Sequence, residues 1–278
     1  MKKPTWVFSA LISSSLIFSS TPTTAATKTT TVHFMDVGQG DGTYIKTAGG
    51  DDMIIDAGNK DGSDVVAYLK KQKVKDIEVM IATHPDADHI GGLDEVLKAF
   101  KVKSVYAPKV SHTSQAYKDF LLAVKREGLT IKTAKKDVKV PLKGVSAKFV
   151  APVKTYSKSD LNDWSAVLRL VHGKKSFLFT GDAEAKSEAD MIKSKETLRA
   201  NVLKVGHHGA KTSSSSAFIK AVNPQYSVIS VGKKNHYGHP TKEVLNRLKK
   251  TKVYRTDQKG AIVFTTNGST LTVKTEKK

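Results

Sequence analysis

Residues 83–92 read THPDADHIGG, and within them His84, Asp86, Asp88 and His89 crowd into six positions. All four are side chains that bind divalent cations. The stretch ahead of them, EVMIAT (78–83), is apolar and predicts a buried strand, which puts the four on a loop at its C-terminal end. A loop is free of strict side-chain alternation. His84 and Asp86 can then reach one point while Asp88 and His89 reach another about 3.5–4 Å away, the spacing of two-metal hydrolase sites. Gly91 and Gly92 allow the backbone to approach closely. The competing reading is a solvated acidic turn with incidental histidines, and the strongly apolar strand before it argues against that.

Three further clusters follow apolar runs. FLFTGD (177–182) delivers Asp182, VLKVGHHG (202–209) delivers His207 and His208, and VGKKNHYGHP (231–240) delivers His236 and His239. Each has a bland alternative: Asp182 as a helix N-cap, each histidine as a hydrogen-bonded loop residue. Four strand-end clusters of His and Asp in one chain are hard to explain that way together. The chain has no cysteine, which excludes disulfides and thiolate ligands, so a metal here must use His, Asp and Glu.

The elements that must position these residues alternate. Segments 31–37, 42–47 and 51–56 predict short strands between glycine turns, and 63–72 predicts a helix capped by Ser63 or Asp64. A helix over 92–100, a strand over 104–108 and an amphipathic helix over 114–128, stopped by Gly128, come next. The second half predicts strands over 145–152, 165–173 and 175–182, and a strand leading into a loop over 200–209. A strand over 225–232, helices over 183–194, 214–222 and 241–250, and a closing hairpin over 261–275 complete it. This is an α/β chain with two mixed sheets and helices outside, its ligand-type residues at strand C-terminal ends, where such folds carry their sites.

The N-terminus reads as a secretion signal over residues 1–26: Lys2 and Lys3, the short apolar run 6–18, then small residues suited to cleavage near Ala26. The run is shorter than the ~20 residues of a spanning helix, so no stable membrane anchor is expected. A linker over 27–31 and one domain over 32–278 follow. The formal net charge is +20, and removing Lys2 and Lys3 takes it to +18. Such a surplus favours polyanionic partners: DNA, teichoic acid or the anionic cell wall. The lysines are scattered in pairs, so a general solubility charge is the competing reading.

The strings MDVGQGDGTYI (35–45), MIIDAG (53–58), THPDADHIGG (83–92), LNDWSAVLRL (161–170), FLFTGD (177–182), VLKVGHHGAKTSSS (202–215) and NHYGHP (235–240) occur in that order. In this the chain resembles the metallo-β-lactamase fold hydrolases, closest to the extracytoplasmic hydrolase-like domain of the ComEC/Rec2 competence proteins. The resemblance spans about residues 31–275. It implies an αββα sandwich with two divalent metal ions at one edge. His84 and Asp86 would serve the first ion, Asp88 and His89 the second; Asp182 would bridge them, and His207 would complete the second ion's ligand set, with His208 the weaker substitute. Much of the family has histidine at Asp86 and a further histidine from the LNDWS region, where this chain has Asn162 and Asp163. Asp56 would orient the metal loop, and Asp36, Gln39 and Asp41 would build a turn beneath it. Imidazole with carboxylate slightly favours Zn²⁺, with Mn²⁺ the alternative.

The expected activity is a secreted, metal-dependent phosphodiesterase or nuclease acting on extracellular DNA through activated water. Asp88 would orient that water or take its proton, and His239 would donate to a phosphoryl oxygen or leaving group, with His236 weaker in that role. Lys211, Thr212 and Ser213–Ser215 would touch phosphate or cap the following helix. Two alternatives remain: a phosphodiesterase on teichoic acid or wall phosphocholine, and a secreted DNA- or wall-binding protein without catalysis.

Overall fold

The computed structural model describes residues 1–5, 28–59 and 61–277. Most of the expected secretion signal, residues 6–26, lies outside them. Among the described residues no helix is long and apolar enough to cross a membrane.

Two large sheets face each other. The first runs Leu271–Thr275, Ile262–Thr266, Thr30–Phe34, Gly42–Lys46, Asp52–Ala57, Val79–Ile81, Val105–Ala107, Ile131–Thr133 in spatial order. The second runs Lys252–Arg255, Tyr226–Ile229, Val202–Lys204, Lys175–Phe179, Val167–His172, Ser146–Ala151, Lys139–Val140. Strand alternation sorts the apolar residues into layers. Met53, Ile55, Val79 and Ile81 point into the space between the sheets, against Phe149, Leu168, Phe177 and Phe179. Their neighbours Ile54 and Met80 point the other way, onto Leu69, Val96, Leu97 and Phe120 of the helices Ser63–Lys71, Leu93–Ala99 and Gln115–Arg126. On the far side Leu178 and Leu203 pack on Met191 and Phe218, from Ala185–Lys193 and Ser216–Val222. The result is helix, sheet, sheet, helix: the αββα sandwich.

Each sheet is parallel in one half. Asp52–Ala57, Val79–Ile81, Val105–Ala107 and Ile131–Thr133 run parallel, as do Lys175–Phe179, Val202–Lys204, Tyr226–Ile229 and Lys252–Arg255. Their C-terminal ends carry Asp56, the loop 83–92, Asp182, His207–His208 and the loop to His239.

Several boundaries differ from the sequence expectation. Thr30, expected in the linker, pairs with Thr266. The strand expected to reach Asp182 stops at Phe179, because Gly181 at φ +50° turns the chain. Helix Ser63–Lys71 begins on Gly62 with no side-chain cap, so neither Ser63 nor Asp64 caps it. Ile131–Thr133, Lys139–Val140 and Lys252–Arg255 are short sheet-edge strands interrupted by lysine, which gives them no apolar alternation to detect.

His33 lies on the helix-covered face of the first sheet, hydrogen-bonded to the Tyr68 hydroxyl (2.9 Å) and to Thr31 Oγ1 (3.0 Å). Burial lowers its pKa from 6.5 to about 4. The unfolded chain therefore takes up a proton near pH 6.5 that the folded chain resists until about pH 4. Above that window the group contributes nothing to pH dependence; through it, stability falls as pH drops, by about 3 kcal/mol in all. His33→Gln is expected to flatten denaturant-measured stability between pH 6.5 and 4 relative to wild type. An identical slope in both proteins contradicts this.

Candidate metal centre

The loop after Val79–Ile81 is held from below. Asp56 takes φ +56° at the end of its strand and accepts from the Thr83 backbone N–H (2.8 Å) and the Thr83 hydroxyl (2.6 Å). The same carboxylate lies 2.8 Å from His89 Nδ1. That contact fixes the ring with Nε2 facing the site, as an outer carboxylate does for a metal-binding histidine. Asp88 and His89 lie on a one-turn helix, Ala87–Ile90, inside the expected loop. Gly92 is where close approach is needed: a Cβ there would sit 2.5 Å from the Ala57 carbonyl oxygen. Gly40, at φ +141°, lies so close to the Asp88 carbonyl that a Cβ would collide with it.

Asp182 stands at the centre. Its Oδ1 is 3.2 Å from His89 Nε2, and its Oδ2 is 3.5 Å from His208 Nε2 and 3.7 Å from His207 Nε2. His84 Nε2 is 3.4 Å from Asp86 Oδ2, and the His84 and His89 rings are 4.2 Å apart. Donor atoms of His84, His89 and Asp182 lie within 4.8 Å of one another, and so do those of Asp88, His89 and His208. His84 Nε2, His89 Nε2, His208 Nε2 and Asp182 Oδ1 are buried and make no hydrogen bond. Buried polar atoms are rarely left so, and four in two overlapping donor groups fit divalent cations. A further acidic group, Asp52, Asp76 and Glu78, is paired with Lys46 and Lys103.

The consecutive histidines divide. Both have positive φ, +47° for His207 and +51° for His208, and this turn sends their rings apart. His208 points inward, with Nδ1 2.9 Å from the Ser230 carbonyl and Nε2 3.2 Å from Asp88 Oδ2. His207 stays at the rim, its Nδ1 held 2.9 Å from Glu184 Oε1. His208 thus stands with Asp88 and His89, the place the resemblance gives to His207.

The charges reinforce the assembly. Burial opposes ionisation of Asp182, but the His89 and His208 charges hold its carboxyl well below the usual range. Asp88 is likewise lowered to about 2 against its burial, by the His208 contact and the His89 charge. Burial would lower His208, yet Asp182, Asp41 and Asp88 push it up to about 10 in the metal-free protein. His239 Nδ1 is buried without a partner, and its ring is 5.5 Å from that of His207. Burial and the His207 and His208 charges lower its pKa, so it is a neutral imidazole at neutral pH.

Other expected residues take different places. Asn162 Nδ2 contacts Glu184 Oε1 (3.2 Å) and His207 Nδ1 (3.3 Å) at the rim. Asp163 turns away and accepts from the Ser187 backbone N–H. Lys211 and His236 are exposed and outside the cluster. Ser213 and Ser214 are fully buried, Ser215 caps Ser216–Val222, and the Thr212 hydroxyl donates to Glu184, so these residues build the loop. Asp36 accepts from the Gly38 N–H in a turn, and Gln39 Oε1 accepts from the Gly232 N–H, tying the two sheets' loops together.

Three residues escaped the sequence reading. Glu184 holds His207, and Thr83 holds Asp56. Lys204, buried at the end of its strand, places Nζ 2.8 Å from Asp41 Oδ2, whose other oxygen is 3.4 Å from His208 Nδ1. Asp41 also donates its backbone N–H to the Asp88 carbonyl. A lysine inside the apolar run NVLKV was the available signal, since lysine is rarely buried unless paired. Lys204→Met is expected to lower stability by about 3–5 kcal/mol, because it strands the buried Asp41 charge. Adding Asp41→Asn should restore part of the loss in a urea titration, and an unaltered midpoint for the single variant contradicts the pairing.

Comparison with known proteins agrees with this architecture. The sequence profile of the metallo-beta-lactamase superfamily matches residues 35–233. The chain is 34% identical over 202 residues to ComE operon protein 3 of Bacillus subtilis, covering 72% of this chain and 26% of that protein. It is 32% identical over 227 residues to Recombination protein 2 of Haemophilus influenzae, covering 80% and 26%. It is 32% identical over 234 residues to Competence protein ComA of Neisseria gonorrhoeae, covering 82% and 31%. The chain thus spans about a quarter to a third of these relatives. Among solved structures, the metallo-beta-lactamase fold protein YhfI from Bacillus subtilis superposes with TM-score 0.58 at 12% identity, over 85% of this chain and all of that one. Profile and fold converge: the chain belongs to the metallo-beta-lactamase superfamily, and it is similar to a part of these competence and recombination proteins.

Proposed function

We propose that the chain is a metal-dependent phosphodiesterase acting on DNA. The observation that carries the hydrolase reading is the convergence of four buried donor atoms, on His84, His89, His208 and Asp182, that make no hydrogen bond among the described residues, beneath a more open rim. Asp86, Asp88 and His207 keep 35%, 28% and 26% of their side chains exposed, so this rim is where substrate can enter. In this reading His84 and Asp86 would hold a first ion, Asp88, His89 and His208 would hold a second, and Asp182 would serve both. Two divalent ions held there supply Lewis acidity, lowering the pKa of water and offsetting the charge of a transition state. Asp88, ionised at neutral pH, orients the attacking water. His239, neutral and at the rim, donates a hydrogen bond to a phosphoryl oxygen or leaving group. His207 and Asn162, aligned by Glu184, lie beside that position.

The net charge of +20 supports a polyanionic substrate. Relatives named for competence and recombination support DNA over wall polymer. The signal-like N-terminus supports a site of action outside the cell, where the same charge would also favour the anionic wall. The imidazole share of the shell favours Zn²⁺ slightly, with Mn²⁺ the alternative. The test is incubation with single-stranded DNA in Zn²⁺ or Mn²⁺, with and without EDTA. Cleavage that EDTA stops is expected. Intact DNA with every metal, alongside release of glycerol phosphate or phosphocholine from wall polymer, would move the reading to that substrate. DNA retained with steep salt dependence but never cut would leave a binding protein.

A further inference from the structure

Lys204 is the only lysine buried among the described residues, and the proposed reaction gives it no part. It ends strand Val202–Lys204, in register with Phe179 on one side and Val228 on the other. Val202 points into the space between the sheets and Leu203 onto the outer helices, so alternation turns Lys204 inward. There its Nζ donates to the Val205 carbonyl (2.8 Å) and lies 2.8 Å from Asp41 Oδ2. Asp41 stands just ahead of strand Gly42–Lys46 in the facing sheet. A buried ion pair thus joins the two sheets beside the metal centre.

Asp41 is the common neighbour of the three residues assigned to the second ion. Its Oδ1 is 3.4 Å from His208 Nδ1, and its Oδ2 is 3.9 Å from His89 Nδ1. Its backbone N–H donates to the Asp88 carbonyl (3.1 Å). Each ring has a nearer partner at Nδ1: the Ser230 carbonyl at 2.9 Å for His208, and Asp56 at 2.8 Å for His89. Asp41 Oδ1 itself makes no hydrogen bond among the described residues. What its side chain adds behind the two rings is therefore negative charge, on the side away from the Nε2 atoms that face Asp182. Such a charge raises the basicity of a ligating imidazole. A buried carboxylate is costly before any ion arrives, and Lys204 is the one lysine or arginine paired with it among the described residues.

We infer that Asp41 is a positioning residue for the second ion, and that Lys204 is the internal cation that keeps its charge buried whether or not the ions are bound. This role presupposes the two-ion reading of the centre, but metal binding reads it without any substrate. The full chain and the variants Asp41→Asn, Lys204→Met and Lys204→Met/Asp41→Asn are titrated with Zn²⁺ by calorimetry against a competing chelator. Their urea midpoints are measured in EDTA. Asp41→Asn and the double variant are expected to weaken one of two equivalents by about tenfold to a hundredfold, and the other by less than about threefold. Lys204→Met should bind both at least as tightly as wild type, because taking away a nearby positive charge removes repulsion of the cation. The double variant is then more stable than Lys204→Met in EDTA, yet it binds the second ion more weakly. A pair that only braces the fold would give affinities that follow the midpoints, and that result overturns the inference. So does Asp41→Asn with both equivalents unchanged. If Lys204→Met does not fold, the double variant decides: selective loss of one equivalent supports the role, and wild-type binding overturns it. Selective loss in a chain that cleaves no phosphodiester overturns the hydrolase reading and leaves this role. Two-metal cleavage with unchanged affinities in Asp41→Asn does the reverse.

Discussion

Asp182→Ala is expected to reduce metal-dependent hydrolysis by about a thousandfold or more while the chain still folds. That factor corresponds to about 4 kcal/mol of transition-state stabilisation, within what paired metal ions supply. The reason is geometric. One carboxylate oxygen faces His89 and the other faces His208 and His207, so its two oxygens serve both donor sets. The fold should survive, because the segment is anchored by its backbone: the Asp182 N–H is held by the Ser165 hydroxyl at 3.0 Å. Asp182→Asn keeps the shape and one neutral acceptor, and it should fall nearly as far, since a neutral amide is a far poorer ligand. Steady-state rates against a phosphodiester, with circular dichroism as the check on folding, decide it. A folded variant retaining a tenth of wild-type rate would remove Asp182 from the centre.

The second large effect separates neighbours. His208→Ala is expected to weaken binding of one metal equivalent by more than about a hundredfold, since losing even an outer partner of a ligand costs 10- to 100-fold. His207→Ala should keep two equivalents and weaken them less than about tenfold, acting instead on substrate turnover. The contrast follows from the paired positive φ values, which bury His208 against Asp88 and leave His207 with Glu184. Metal titration by calorimetry reads both. Equal losses, or a greater loss for His207→Ala, would restore the order that the family resemblance suggested.

Much of this was legible in the residues, and the misses share a cause. The αββα layering follows from apolar alternation in strands such as 52–57, where Met53 and Ile55 face one way and Ile54 the other. The ligand-type residues at strand ends were visible because histidine and aspartate after an apolar run are conspicuous. What pattern could not resolve was direction. Nothing in GHHG states that both histidines take positive φ, so their division was invisible. Asp163 and Asn162 are adjacent, yet one caps a helix and the other reaches the rim. Lys204, Glu184 and Thr83 act through partners distant in sequence, such as Asp41, 163 positions before Lys204, and single-chain periodicity carries no such pairing.

The most direct test of the centre is anomalous diffraction from crystals of the chain grown with Zn²⁺ or Mn²⁺, with data on both sides of the metal absorption edge. Two peaks about 3.5–4 Å apart are expected, with Asp182 between them, His84 and Asp86 at one, and Asp88, His89 and His208 at the other. Peaks only at the lysine-paired cluster of Asp52, Asp76 and Glu78, or none within reach of Asp182, would contradict the account.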